Sequence, residues 1–223
     1  MKTAIFLLTA SLLGGATASA QPLAMKVAGK INAGVCAIDP ASVLSIDYGD
    51  LPLDPGSGTA EYFHFDYRAL KLLVSCGEPT AVAVKISDNH AAAKPGHPLL
   101  FFTFAEGSVG VPSDNFYGLQ DTASGNGIGA ATIRFRSPSV DHAPALFVVN
   151  SADGKSWSAP AIDRLFVSAD RPYIRPRNSS TNTLEGRLFD FPMDFSALVI
   201  RNLIPANQDV SIGAGATFEL IYL

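Results

Sequence analysis

The chain holds 223 residues, of which 48% are hydrophobic and only 16% charged, with a formal net charge of −4. That length suits one domain, or at most two small ones, with a sizeable core. The mild acidity and the lack of any Lys/Arg run argue against nucleic acid as a partner.

In chain order, Met1–Ala20 reads as a secretory signal peptide. Lys2 supplies the positive start, Ala4–Leu13 the short apolar stretch, and Ala18-Ser19-Ala20 the small-residue cleavage site. The apolar stretch is well short of the ~20 residues that span a bilayer. The expectation is therefore an exported chain with residues 21–223 as a single domain. The formal charge becomes −5 once Lys2 leaves with the signal. Cys36 and Cys76 are the two cysteines, and in an oxidising compartment an even pair reads as a disulfide.

The pattern is mostly β. Met25, Val27, Ile31 and Val35 alternate in a first strand that reaches Cys36, and Val43–Tyr48 predicts a short second one. Leu70, Leu72, Val74 and Cys76 alternate until Gly77-Glu78-Pro79, which predicts a stop. Val82, Val84 and Ile86 then form the next strand. Leu99–Phe104 is continuously apolar, the mark of a strand buried on both faces or close to it. Ser124-Gly125-Asn126-Gly127 signals a hairpin into Ile128–Arg136, with Ile133 and Phe135 on one face and Arg134 and Arg136 on the other. Further strands are predicted at Ala145–Val149, Ile162–Val167, Ala197–Leu203 and Val210–Leu223, with an exposed loop at Asp170–Asn182. In the last strand Ala214, Ala216, Phe218, Leu220 and Tyr222 fall on every second position. It runs to the final residue, which leaves its hydrogen-bonding edge for another segment to cover. Short strands broken by turn residues predict an all-β sandwich.

Catalytic signals are sparse. None of His64, His90, His97 and His142 has a His or Cys at metal-ligand spacing, so no metal or cofactor is expected. No Gly-x-Ser-x-Gly elbow is present. His64 with Asp66 puts a base and a carboxylate on one strand face, an arrangement more often found on a solvated face. Asn178-Ser179-Ser180 matches a glycosylation sequon, relevant only in a eukaryotic host. Trp157, Tyr173 and Arg175, in an arginine-rich stretch, are candidate contacts for a sugar or anionic ligand.

Several of these features coincide. They are the export signal, the strand Val27-Ala-Gly-Lys-Ile-Asn-Ala-Gly-Val-Cys36, a second cysteine at a strand end, and a terminal alternating strand with penultimate Tyr222. Together they resemble the subunits of bacterial chaperone–usher fimbriae. More narrowly, Ile46-Asp-Tyr-Gly49 and Asn115-Phe-Tyr-Gly-Leu-Gln-Asp121 with Gly127-Ile-Gly-Ala130 are similar to the fimbrial-like exported proteins grouped as the DUF1120 family. The resemblance implies an immunoglobulin-like, pilin-type sandwich that lacks its final strand. Its groove would be filled first by a periplasmic pilus chaperone and then by the N-terminal segment of another fimbrial subunit, at an outer-membrane usher. It implies that Cys36 and Cys76 form the family's disulfide. Phe218, Leu220 and Tyr222 would border the groove, and Leu23, Met25 and Val27 would be the N-terminal donor residues. Added material around Ala143–Asn182 suggests a minor or tip-type subunit of a fimbrium at the cell surface, facing a host or surface glycan receptor, and not an enzyme. Two alternatives stand beside it: a self-complete secreted sandwich that binds carbohydrate or a host protein through Trp157 and Tyr173, and a hydrolase using His64 or His90.

Overall fold

Apolar alternation with a period of two dominates the chain, and nearly all of it becomes antiparallel strand. The computed structural model describes residues 36–42, 44, 46, 48, 61–158, 165–167, 171–178, 182–204 and 210–223. All lie in one compact unit, Ala33–Leu223. The predicted signal peptide, Leu23, Met25 and Val27, and most of the first predicted strand lie outside them. Among the described residues there is no α-helix, only short 3-10 turns such as Ala91–Ala93 and Ser113–Asn115.

The long strand β3 (Arg68–Asp88) organises the molecule. Leu70, Leu72, Val74, Val82, Val84 and Ile86 all have the same parity, so one strand buries them all on one face. The stop predicted at Gly77-Glu78-Pro79 is therefore corrected. The strand continues past it with a bulge, and what changes there is the partner. The first half of β3 pairs with β13 (Glu185–Ile200), from Arg68↔Phe195 to Ser75↔Leu188. The bulge is in β3: the pairing resumes at Thr80↔Gly186, so five steps along β3 face two along β13 and the proline sits among the extra residues. The second half pairs with β15 (Ala216–Tyr222) on one edge and β12 (Tyr173–Arg177) on the other. β3 thus belongs to both layers of an all-β, sandwich-like fold.

One layer continues from β13 through β7 (Gly127–Phe135) and β6 (Tyr117–Asp121) to β14 (Ile212–Ala214). The Ser124–Gly127 hairpin turn is as predicted, with Gly125 at φ +73°. β2 (Tyr62–His64) extends the β3 edge of β13. The other layer is β15, β3, β12 and β10 (Phe147–Ser151). The predicted loop at Asp170–Asn182 is corrected accordingly. Residues Tyr173–Arg177 are a strand in which Ile174 and Arg175 are buried. Leu44, Ile46 and Tyr48, the described positions of the predicted second strand, lie in no strand.

A third element covers the outside of the first layer. β4 (Leu99–Phe104) and β5 (Gly107–Pro112) pair only with each other. β4 is not buried on both faces as expected: Leu100, Phe102 and Phe104 point inward, whereas Leu99 and Phe101 are 48% and 55% exposed. The hairpin packs its inner face on Phe116, Ala130, Leu198 and Ile200. It also covers Arg134, on the face opposite Ile133 and Phe135 as the sequence predicts. Arg134 is only 4% exposed. It binds Glu106 of the β4–β5 turn and Asp194 of β13 (2.6 Å), with its guanidinium 4.0 Å from the centre of the Phe104 ring. A buried cation is tolerated when carboxylate acceptors and a ring face surround it in this way.

Candidate functional site

The disulfide is formed: Cys36 in β1 (Cys36–Ile38) and Cys76 in β3 are bonded and directly opposite in register. It fixes the start of a segment that descends along the free edge of β3. Asp39 N–H donates to Leu73 O at 2.9 Å, and Ser42 Oγ exchanges hydrogen bonds with the Leu73 backbone. Farther along, the Tyr48 hydroxyl donates to Asp66 O at 2.9 Å, and its ring packs on Phe65 and under the Arg68 guanidinium. This leaves Leu44, Ile46 and Tyr48 leaning, half-buried, against the core margin.

β15 faces that segment from the other layer. It is an edge strand: among the described residues it pairs with β3 alone. Asn89 N–H donates to Gly215 O, and Leu223 N–H donates to Ala81 O. The odd-numbered residues are therefore the ones bonded to β3. In an antiparallel ladder the backbone groups of Ala216, Phe218, Leu220 and Tyr222 then point away from it. The side chains of Ala216, Phe218 and Leu220 meet the core but stay half-exposed.

Between the two edges lies a groove of about 250 Å³. Leu44, Ile46 and Tyr48 form one wall, and Ala214, Ala216 and Phe218 the other. Its floor is the concave face of the first layer, from Leu70 through Phe195 and Ile133 to Leu119. Among the described residues the lining has no charged side chain. Tyr48 and Tyr117 keep their protons, since burial pushes Tyr48 up to about 12 and Tyr117 higher still, where nearby Asp88 adds to the effect. One end is closed. The Tyr222 hydroxyl accepts from Cys36 N–H at 3.0 Å and donates to Cys36 O at 3.2 Å, a side-chain rung where no ladder joins β15 to β1. The opposite rim carries Asn89, whose Oδ1 accepts from Thr217 Oγ1 at 2.8 Å.

Of the residues singled out from sequence, Phe218 lines the groove, Leu220 sits beside it and Tyr222 shuts its end. The missed wall is Leu44, Ile46 and Tyr48: Ile46 and Tyr48 belong to a motif that carried the family resemblance, but nothing in the sequence set them beside the last strand. Trp157, Tyr173 and Arg175 do converge, on the outer face of the second layer. The Arg175 guanidinium, 4% exposed, stacks on Trp157 at 4.7 Å, and Lys85 Nζ lies 5.9 Å from the centre of the Tyr173 ring. Each ring therefore already has a protein cation on it. His64, its pKa lowered by burial, packs near Tyr62 together with His97. Among the described residues no group of three or more His, Cys, Asp or Glu is placed to hold a metal.

Comparison with family models, curated proteins and solved structures finds no match for the chain.

Proposed function

We propose that the protein is a non-catalytic, exported subunit of fimbrial type, whose sandwich is finished by a strand from another molecule. The observation that carries this reading is β15. It is a seven-residue strand with an apolar inner face that, among the described residues, is paired on one edge only, beside a groove walled by hydrophobic side chains that are not fully buried. An extended segment laid there would pair with the outward groups of Ala216, Phe218, Leu220 and Tyr222 and place alternate apolar side chains in the groove. Main-chain hydrogen bonds would supply affinity, and the pockets register. In this reading a periplasmic chaperone supplies the strand first and a neighbouring subunit later, at an outer-membrane usher. The disulfide suits the oxidising compartment such a route requires.

The test is hydrogen exchange with and without a chaperone–usher pair. In the isolated chain the amides of Ala216, Phe218, Leu220 and Tyr222 should exchange quickly, while those of Thr217, Glu219 and Ile221 are protected. Co-expression should yield a chaperone complex in which the even-numbered amides become protected too. Failure to co-purify with any chaperone, together with slow exchange at both parities in a soluble monomer, would refute the reading.

A further inference from the structure

The groove is uneven along its length, and under the strand-acceptor reading this restricts what fills it. The open volume lies against Ile212, Ala214, Ala216 and Phe218 and stops short of Leu220 and Tyr222, where the Tyr222–Cys36 hydrogen bonds join the two edges. At the open end the wall is Ala214-Gly215-Ala216, the smallest side chains on either edge. This wall is backed closely from behind. A Cβ added at Gly215 would stand 3.3 Å from Asn89 Nδ2 and 3.4 Å from His90 Nε2. The space in front of the alanines therefore has to be filled by the occupant. Side chains on one face of a strand recur about every 6.6 Å. One inward residue thus lodges at the alanine chamber and the following ones over the shallower Phe218–Tyr222 stretch.

We infer that the occupant is an extended segment of a different protein, uncharged at its inward positions, with an aromatic side chain at the position beside Ala216 and smaller apolar ones toward Tyr222. The neutral lining rejects an inward charge, since a charge there would be desolvated without a partner. The small wall rewards the bulkiest ring, because apolar volume left empty is destabilising. The chain's own segment Gln21–Val35 has the alternation Leu23, Met25, Val27 but no aromatic residue at all. A second copy of this chain would leave the chamber underfilled.

A peptide panel tests this on the full chain. Peptides of alternating Val and Thr carry a single Phe at each of four successive inward positions, and a further peptide copies Gln21–Val35. Binding is read by fluorescence anisotropy. One Phe position should bind about tenfold tighter than the others, and the Gln21–Val35 peptide should be weaker than the best by a similar factor. In Ala216→Leu the positional preference should disappear while overall binding persists. Should that variant fail to fold, Ala214→Leu narrows the same chamber from an exposed position. Equal binding at all four positions, or a Gln21–Val35 peptide that matches the best, would overturn this inference while leaving the acceptor reading intact. No binding by any peptide would overturn both.

Discussion

β13 and β15 have comparable apolar sequences and very different surroundings. In β13 the run Ala197–Ile200 is buried on both faces, by the sandwich core on one side and by the β4–β5 hairpin on the other, with no residue more than 2% exposed. β15 presents Ala216, Phe218 and Leu220 to the same core, but all three remain half-exposed, and Tyr222 is 51% exposed. Burial is therefore set by how many layers close over a strand and not by its composition. An apolar strand with an open edge is a state that natural sheets avoid unless something covers it.

Matched truncations would expose the contrast most strongly. Leu198→Ala should destabilise the isolated chain by about 3–5 kcal/mol, the range for deleting a buried side chain that cannot be refilled. Phe218→Ala should cost about 1 kcal/mol, because its site is half-open already. Urea denaturation measures both. Equal losses would mean that β15 is covered as fully as β13. Arg134→Met belongs with the large effects. It removes the closer of the two cations of Asp194, which is 2% exposed, leaving Arg136 Nε at 3.8 Å, and should cost about 3 kcal/mol. Replacing Arg134, Asp194 and Glu106 together with apolar residues should recover much of that loss, which would place the hairpin's hold in packing and not in charge. Removing the disulfide with Cys36→Ser and Cys76→Ser should cost about 3–4 kcal/mol for a bridge with a sequence separation of 40.

The same comparison shows what was legible in sequence. Strand character was plain because side-chain alternation is local, so the all-β class could be read directly. The last predicted strand, Val210–Leu223, is corrected to two, since the chain changes layer at Gly215: Ile212–Ala214 pairs with β6 and Ala216–Tyr222 with β3. The continuity of β3 was also present, in the shared parity of Leu70–Cys76 and Val82–Ile86, but Gly77-Glu78-Pro79 carries the usual marks of a stop. A proline is tolerated mid-strand where the ladder is bulged, and β3 bulges at this very stretch, so the residues that mark a stop also fit a bulge and sequence alone does not separate the two. The surroundings of Arg134 were not legible either. Its polar face is a surface only until a hairpin from another part of the chain folds over it with Glu106. Half of the groove, Ala214 to Tyr222, was visible as a strand. The other half, Leu44 to Tyr48, became a wall only because Cys36–Cys76 and Ser42 hold that segment along β3.

Smaller effects probe the closed end and the wall of the groove. Tyr222→Phe removes both hydrogen bonds to Cys36 and should cost about 1 kcal/mol. If that rung also sets where an incoming strand stops, the variant should loosen peptide register while β15 stays paired with β3. A change in β3 amide protection would show instead that Tyr222 holds the strand itself.

The subtlest measurement uses the Tyr48 proton. Burial raises this phenol from its ordinary value near 10 to about 12, outweighing the lowering by Arg68, and the neutral hydroxyl donates to Asp66 O. A raised acid pKa means that the folded state prefers the neutral form. The contribution is therefore complete below pH 10 and is lost as pH climbs from 10 toward 12. The stability difference between the native chain and Tyr48→Phe should be flat up to pH 10 and then shift in favour of the phenylalanine variant, with Tyr117 titrating alike in both. A strand bound in the groove would bury Tyr48 further, leave that onset at pH 10 and extend the loss to higher pH. A difference that stays constant to pH 12 would mean that Tyr48 faces water and that the wall it forms is not there.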